Sequence, residues 1–280
     1  MKQKRSWFLP ACLVAGFAFL YVPILSLIIF SFNASKLVTV WGGFSTKWYG
    51  ALLGNRQILD AAWLSVRIAA MNATLAVILG TMVALVLTRL GPFRGRALLS
   101  GMATAPLVMP EVITGLSMLL LFVSLEQWFG WPQGRGITTI VIAHATFSLA
   151  YVAVIVQSRL TQLDESIEEA ALDLGAKPAK VFFVITLPII APALISGWLL
   201  AFTLSLDDLV IASFTSGPGS TTLPMVIFSK VRLGVSPEIN ALATILIVVV
   251  AIAVVIAGYF MKRQESLRQR DIQRAIAANE

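Results

Sequence analysis

Apolar runs about as long as a bilayer is thick alternate along this chain with short polar stretches. A helix rises 1.5 Å per residue, so about 20 apolar residues cross a hydrocarbon core. Residues 7–32, 61–88, 97–123, 137–156, 188–206 and 238–261 meet that description and predict six transmembrane helices. Barrel strands would be shorter and would alternate, so the predicted fold class is an all-α membrane protein. Residues 1–6 form a short basic N-terminus, 157–187 a charged loop between the fourth and fifth runs, and 262–280 a charged tail. A signal peptide has a shorter apolar part that ends in a small-residue cleavage site, so the first run is read as an uncleaved span. Residues 207–237 are irregular around Gly217-Pro218-Gly219, with a short helix predicted over 224–232. Ser236 and Pro237 suit the N-cap and first position of the sixth helix.

The loop at 157–187 has a pattern of its own. Leu160, Leu163, Ile167, Ala170, Ala171 and Leu174 recur at helical spacing, while Asp164, Glu165, Glu168, Glu169 and Asp173 make the other face acidic. Ser166 with Glu169 fits a capping box, and Asp164 is a rival N-cap. Gly175 fits a helix stop, and Pro178 fits the start of a second helix. An amphipathic helix attached to a membrane protein must bury its apolar face, and a partner protein is the natural cover.

Composition supports the polytopic reading, with 58% hydrophobic and 12% charged residues. The net charge of +7 would suit nucleic acid if the basic residues were clustered as a footprint. They are sorted by topology instead: 14 of the 21 lysines and arginines fall on the side of the termini. The positive-inside rule then places both termini and the acidic loop in the cytoplasm. Cys12 is the single cysteine, which excludes an internal disulfide and reads as a buried, inert thiol. With one histidine and one cysteine, a Cys/His metal cluster is not available within the chain. Gly217-Pro218-Gly219-Ser220 lacks the lysine of a phosphate loop, and no hydrolase triad is indicated. Energy for any uphill transport must therefore come from another polypeptide.

Carboxylates near the spans are the informative polar residues. Glu111 falls near the middle of the third predicted span, where an ionised carboxylate costs about 2.5–3.5 kcal/mol. Pro106 and Pro110 free the carbonyls of Met102 and Pro106 on the same helix. Carbonyls and a carboxylate suit a cation path, although a packing pair with a neighbouring helix explains Glu111 equally. Asp207 and Asp208 sit at the outer end of the fifth span. Adjacent helical residues face different ways, so at most one would face a pore. The plainer reading is a helix end in the headgroup layer, or an ion pair with Lys230 or Arg232. His144 reads as a packed, hydrogen-bonded side chain. Trp128, Phe129 and Trp131 read as an interfacial belt rather than a cation cage.

The pattern Glu169-Ala170-Ala171, three residues, Gly175, nine residues, Ile185-x-Leu187-Pro188 resembles the cytoplasmic loop of permease subunits of bacterial ABC importers. The bland alternative is a solvated helix-turn-helix. Asn33-Ala34-Ser35-Lys36 with Trp41-Gly42-Gly43-Phe44, Ala105 to Gly115, and Leu204 to Ile211 resemble the putrescine/spermidine branch of that family, its second permease subunit most. The resemblance implies a type I importer permease fold with a coupling helix between spans four and five. It implies residence in the bacterial inner membrane and no cofactor or enzymatic activity in this chain. The implied partners are a sister permease subunit, two ATPase subunits that bind ATP and Mg²⁺, and a periplasmic polyamine-binding protein. Glu169, Ala170, Ala171, Gly175, Ile185, Leu187 and Pro188 would couple the permease to the ATPase, and Glu111, Asp207 and Asp208 would line the substrate path. Three rivals remain. An iron or sulfate cargo is one, but an oxyanion would favour basic residues in the spans, and only Arg67 comes close. A stand-alone secondary transporter would be expected to show inverted repeats, and none is apparent. A membrane scaffold leaves the carboxylates unexplained.

Overall fold

The computed structural model describes residues 7–37, 40–234, 236–252, 255 and 259 of the chain. The predicted terminal segments 1–6 and 262–280, and part of the last run, lie outside them. The order is α1 (Phe8–Ser31), α2 (Lys47–Gly54), α3 (Arg56–Arg89), α4 (Arg96–Val108), α5 (Glu111–Phe129) and α6 (Ile137–Thr161). There follow α7 (Ser166–Asp173), α8 (Pro178–Val181), a π-turn (Phe182–Thr186), α9 (Leu187–Leu206), α10 (Val210–Thr215) and α11 (Leu223–Leu233). A last helix, α12, covers Pro237–Ile252. Among the described residues five helical stretches are long and apolar enough to cross a membrane. The expected single span over 97–123 is instead two helices, because the chain breaks at Met109-Pro110.

The chain divides into two units, one of residues 1–56 with 229–280 and one of Gln57–Phe228. In the first, Asn33 organises the segment after α1. Its Nδ2 donates to the carbonyls of Leu37 (3.2 Å) and Val40 (2.8 Å), and its Oδ1 accepts from the N–H groups of Ser35 (3.1 Å) and Gly42 (2.8 Å). A buried Asn has two donors and two acceptor lone pairs, and here all are used. Phe32 stacks on Phe44 and lies against Tyr49, both at 5.3 Å between ring centres. This is why Asn33 and the Trp41-Gly42-Gly43-Phe44 run go together. Gly43 has φ +102, which a side chain would strain. Cys12, expected to be buried, is exposed on α1, where among the described residues nothing covers that stretch of the helix.

The second unit is built around α6, which is buried on most of its circumference, as a helix apolar all round should be. Its largest helix–helix contact is with α9. Ala73, Ala76 and Ala84 of α3, Val152, Val156 and Leu160 of α6, and Ile190 and Ala201 of α9 form one core cluster. Small residues let these backbones approach closely, which is how helices gain contact where lipid competes for apolar surface. Val152 sits between two glycines. A Cβ on Gly80 would lie 2.9 Å from Val152 Cβ and 3.0 Å from the Ala153 nitrogen, and one on Gly197 would lie 3.3 Å from Val152 Cγ1. Asn72 pins the same three helices, its Nδ2 donating to the Ala201 carbonyl at 2.8 Å and reaching Ser148 Oγ at 3.3 Å.

The glycine spacing has a measurable consequence. Gly80→Val forces α3 off α6 and should cost about 1–3 kcal/mol of stability. A thermal melt of the detergent-purified protein should show a lower midpoint, and an unchanged midpoint would mean the helices do not approach this closely.

Candidate functional site

Two helix breaks and one loop helix carry the candidate residues. At the first break, Pro110 disfavours helical geometry at Met109, which is extended (φ −79, ψ 135), and Pro110 has ψ 136. The Pro110 carbonyl then accepts from the N–H groups of Ile113 and Thr114 at 3.0 and 3.1 Å, starting α5. Glu111 is thus the first residue of α5 and exposed, not a mid-span carboxylate. An acid in the first turn sits where the helix dipole favours negative charge.

At the second break α9 ends at Leu206, and after three residues the chain continues into α10. The two neighbouring acids part company here. Asp207, the C-cap of α9, is exposed. Asp208 turns inward and its carboxylate accepts from the N–H groups of Ile211 (3.3 Å) and Ala212 (2.7 Å), so it caps α10. Its Oδ2 also lies 3.1 Å from His144 Nε2, though off the line of the ring N–H. The other ring nitrogen, Nδ1, is 2.7 Å from Ser205 Oγ. Of the basic residues expected as partners, Lys230 pairs with Glu238 at 3.5 Å. Asp208 is thus engaged at the start of α10 and beside His144.

Gly115 brings the two breaks together. A Cβ there would lie 2.7 Å from the Phe214 ring and 3.3 Å from Ile211 Cα, so α5 and α10 touch almost backbone to backbone. Glu111 precedes Gly115, and Asp207 precedes Ile211, by four residues, a reach of at most about 14 Å. Both exposed carboxylates thus stand close, along their own chains, to one helix contact.

The loop helix α7 runs over Ser166–Asp173 and has no buried residue. Asp164 Oδ1 accepts the Ser166 N–H at 3.0 Å, an Asx turn leading into the helix, while the N-cap position falls on Glu165 without a side-chain cap, so neither expected cap, Ser166 or Asp164, is used as one. That bond, and then the Ser166 hydroxyl, hold the Asp164 carboxyl below its usual range. The helix ends in a Schellman motif, with Gly175 N–H on the Leu172 carbonyl (2.8 Å) and Ala176 N–H on the Ala171 carbonyl (3.1 Å). Gly175 has φ +86 and open space around it, so conformation, not crowding, requires glycine. Ile167, Glu169, Ala170, Leu172 and Leu174 are exposed, Leu174 at 89%. Ile185, Leu187 and Pro188 lie at the π-turn and the start of α9. Pro188 has no N–H to offer one turn back. The wider turn absorbs that gap, and Leu187 N–H bonds the Phe182 carbonyl five residues back.

Glu168 points the other way from Glu169. Its carboxylate meets Arg89 Nε at 2.9 Å and accepts from Thr186 Oγ1 at 2.5 Å. Arg89 also meets Glu165 at 2.7 Å, but that carboxylate is 60% exposed and such a pair contributes about 0–1 kcal/mol. Sequence reasoning gave Arg89 only a topological part and placed Glu168 on a solvated face. The signal was available: Glu165 and Glu168 share one helical face and their loop supplies no cation four residues on.

This geometry, of broken spans around a tightly packed α3–α6–α9 core with an amphipathic helix in the following loop, is that of an importer permease. Residues 76–268 match the model of the family "Binding-protein-dependent transport system inner membrane component". The chain belongs to that family, and is a multi-pass inner-membrane transport protein rather than an enzyme. It is 65% identical over 263 residues to the putrescine transport system permease protein PotI of Escherichia coli K12, covering 94% of each chain. It is 41% identical to the spermidine/putrescine permease PotC of the same organism, covering 91% of this chain and 93% of that one. A bacterial ABC transporter that imports alginate has the same fold, with a TM-score of 0.72 at 17% identity, covering 93% of this chain and 96% of that one. The methionine ABC transporter MetNI matches with a TM-score of 0.58 at 16% identity, covering 74% and 94%.

The divergence of the two acids is open to measurement. Asp208→Ala removes a helix cap and leaves His144 facing a void, which should cost about 1–3 kcal/mol. Asp207→Ala should stay within about 0.5 kcal/mol of the parent. Thermal melts of the two variants, compared side by side, check the assignment.

Proposed function

We propose that this chain, with a sister permease subunit, forms the path by which a diamine, putrescine, crosses the inner membrane. The observation that carries the cargo is the 65% identity, over 94% of both chains, to a putrescine permease. The site chemistry is consistent with it. A diamine has two ammonium groups, and the breaks present two exposed carboxylates, Glu111 and Asp207, near one helix contact. Asp208 is left out of the path because it is engaged with His144 and the start of α10.

In this reading α7 is the coupling helix. Its exposed face, with Glu169, Ala170 and Leu174, seats on an ATPase subunit that supplies ATP hydrolysis with Mg²⁺. Two such ATPases and a periplasmic polyamine-binding protein complete the importer. The termini and α7 lie on the cytoplasmic side, as the excess of basic residues there favours. ATP binding then shifts the spans between two packings, each ligand biasing the one it prefers. Gly175 fixes the angle at which α7 leaves the loop.

Two outcomes follow. Glu111→Gln and Asp207→Asn should each raise the KM for labelled-putrescine uptake about tenfold, the loss of one charge-assisted contact, with assembly unchanged. Unaltered kinetics in both would remove the path. Gly175→Asp should leave the protein inserted yet abolish ATP-driven uptake, and normal uptake in that variant would exclude α7 as the coupling element.

A further inference from the structure

The three arginines between 89 and 96 share a topological role but not a structural one. Arg94 is exposed. Arg96 folds back on the end of α3, donating to the carbonyls of Leu87 (2.8 Å) and Gly91 (2.9 Å). Arg89, the last residue of α3, reaches away from its own helix to the loop. Its side chain is 18% exposed and that of its partner Glu168 is 16% exposed. Glu168 in turn holds Thr186, which sits in the π-turn directly before α9. A fourth contact, Arg89 Nη2 to the Leu160 carbonyl at 3.5 Å, touches the end of α6.

We propose that Arg89 is a positioning residue for α7, locking its inner face to α3 and, through Glu168 and Thr186, to α9. The inference rests on α7 being the coupling helix and adds how its motion is delivered. A helix with no buried residue has little apolar packing to hold it against the bundle. A push on its outer face would tilt it unless its inner face were tied. Two guanidinium nitrogens stand on two carboxylates one turn apart: Nη1 donates to Glu165 at 2.7 Å, and Nε lies 2.9 Å from Glu168 as an ion pair, off the line of its N–H. That planar fork is what distinguishes arginine from lysine. Because the middle of the chain of contacts is screened from water, it resists displacement more than a surface pair would. The consequence is that α3 and α9, the two helices that grip Val152 of α6 through Gly80 and Gly197, receive the movement of α7 together.

The test uses the chain co-purified with its ATPase and sister subunit in proteoliposomes, with the binding protein and labelled putrescine inside the assay. The readout is putrescine transported per ATP hydrolysed, for each assembled complex. Arg89→Gln should lower that ratio about fivefold or more, the lower bound of a typical coupling energy. Arg89→Lys should recover it only in part, and the exchange Arg89→Glu with Glu168→Arg should restore most of it. If Arg89→Gln lowers only the yield of complex and leaves the ratio intact, the residue is merely structural and the proposal is overturned. Should Arg89→Gln not assemble, Thr186→Val cuts only the arm to α9. A lowered ratio in that variant supports the proposal and an unchanged one overturns it. Gly175→Asp run in parallel separates the two ideas. Uncoupling there with an intact ratio in the Arg89 and Thr186 variants defeats this inference alone, whereas coupling unaffected by Gly175→Asp defeats the reading of α7 itself.

Discussion

A backbone that leaves helical geometry must find partners for the polar groups it frees. That constraint shapes this protein at both of its helix breaks. At Met109-Pro110 the first turn of α5 covers the gap, with the Pro110 carbonyl taking two N–H groups. At Asp207-Asp208 the backbone alone does not suffice. A carboxylate is drawn in to cap α10, with a buried histidine beside it that is itself bonded to Ser205. Asp208, His144 and Ser205 thus form one unit whose task is to let a span stop and restart.

The breaks give the carboxylates their meaning. A continuous helix would have carried Glu111 on its flank at mid-membrane, a costly position that calls for a partner. Interruption converts the same residue into the first residue of a new helix, exposed and dipole-facing. The close approach of α5 to α10 at Gly115 then sets the two interruptions beside each other. One glycine without a side chain does more to define the candidate path than either acid does alone.

The charged loop follows a different physics, since water surrounds it. Its helix has an Asx turn at its start, a stop and an exposed apolar face, all of local origin. What local sequence cannot supply is its attachment. That comes from a cation at the end of α3, 76 residues earlier than Glu165. Glu168 and Glu169 are neighbours in sequence, yet one binds the body of the protein and the other faces outward. The division of labour within an acidic cluster is a tertiary fact.

The sequence by itself determined the all-helical membrane class, the approximate place of most apolar runs, the stop of α7 at Gly175 and the family. Each of these depends on composition or on residues within a turn or two of one another, where propensity and periodicity act directly. It did not determine that the third run is two helices, although Pro110 was in view. Proline kinks many spans, and whether one breaks depends on what packs beside it. Nor did it tell Asp207 from Asp208, or give Arg89 its partners, and His144, read rightly as a packed, hydrogen-bonded side chain, had no named partner. Those assignments depend on which helices meet, and small residues such as Gly80, Gly115 and Gly197 fix that by what they leave out. The energy of such a contact is gained only when a distant backbone arrives to fill the space.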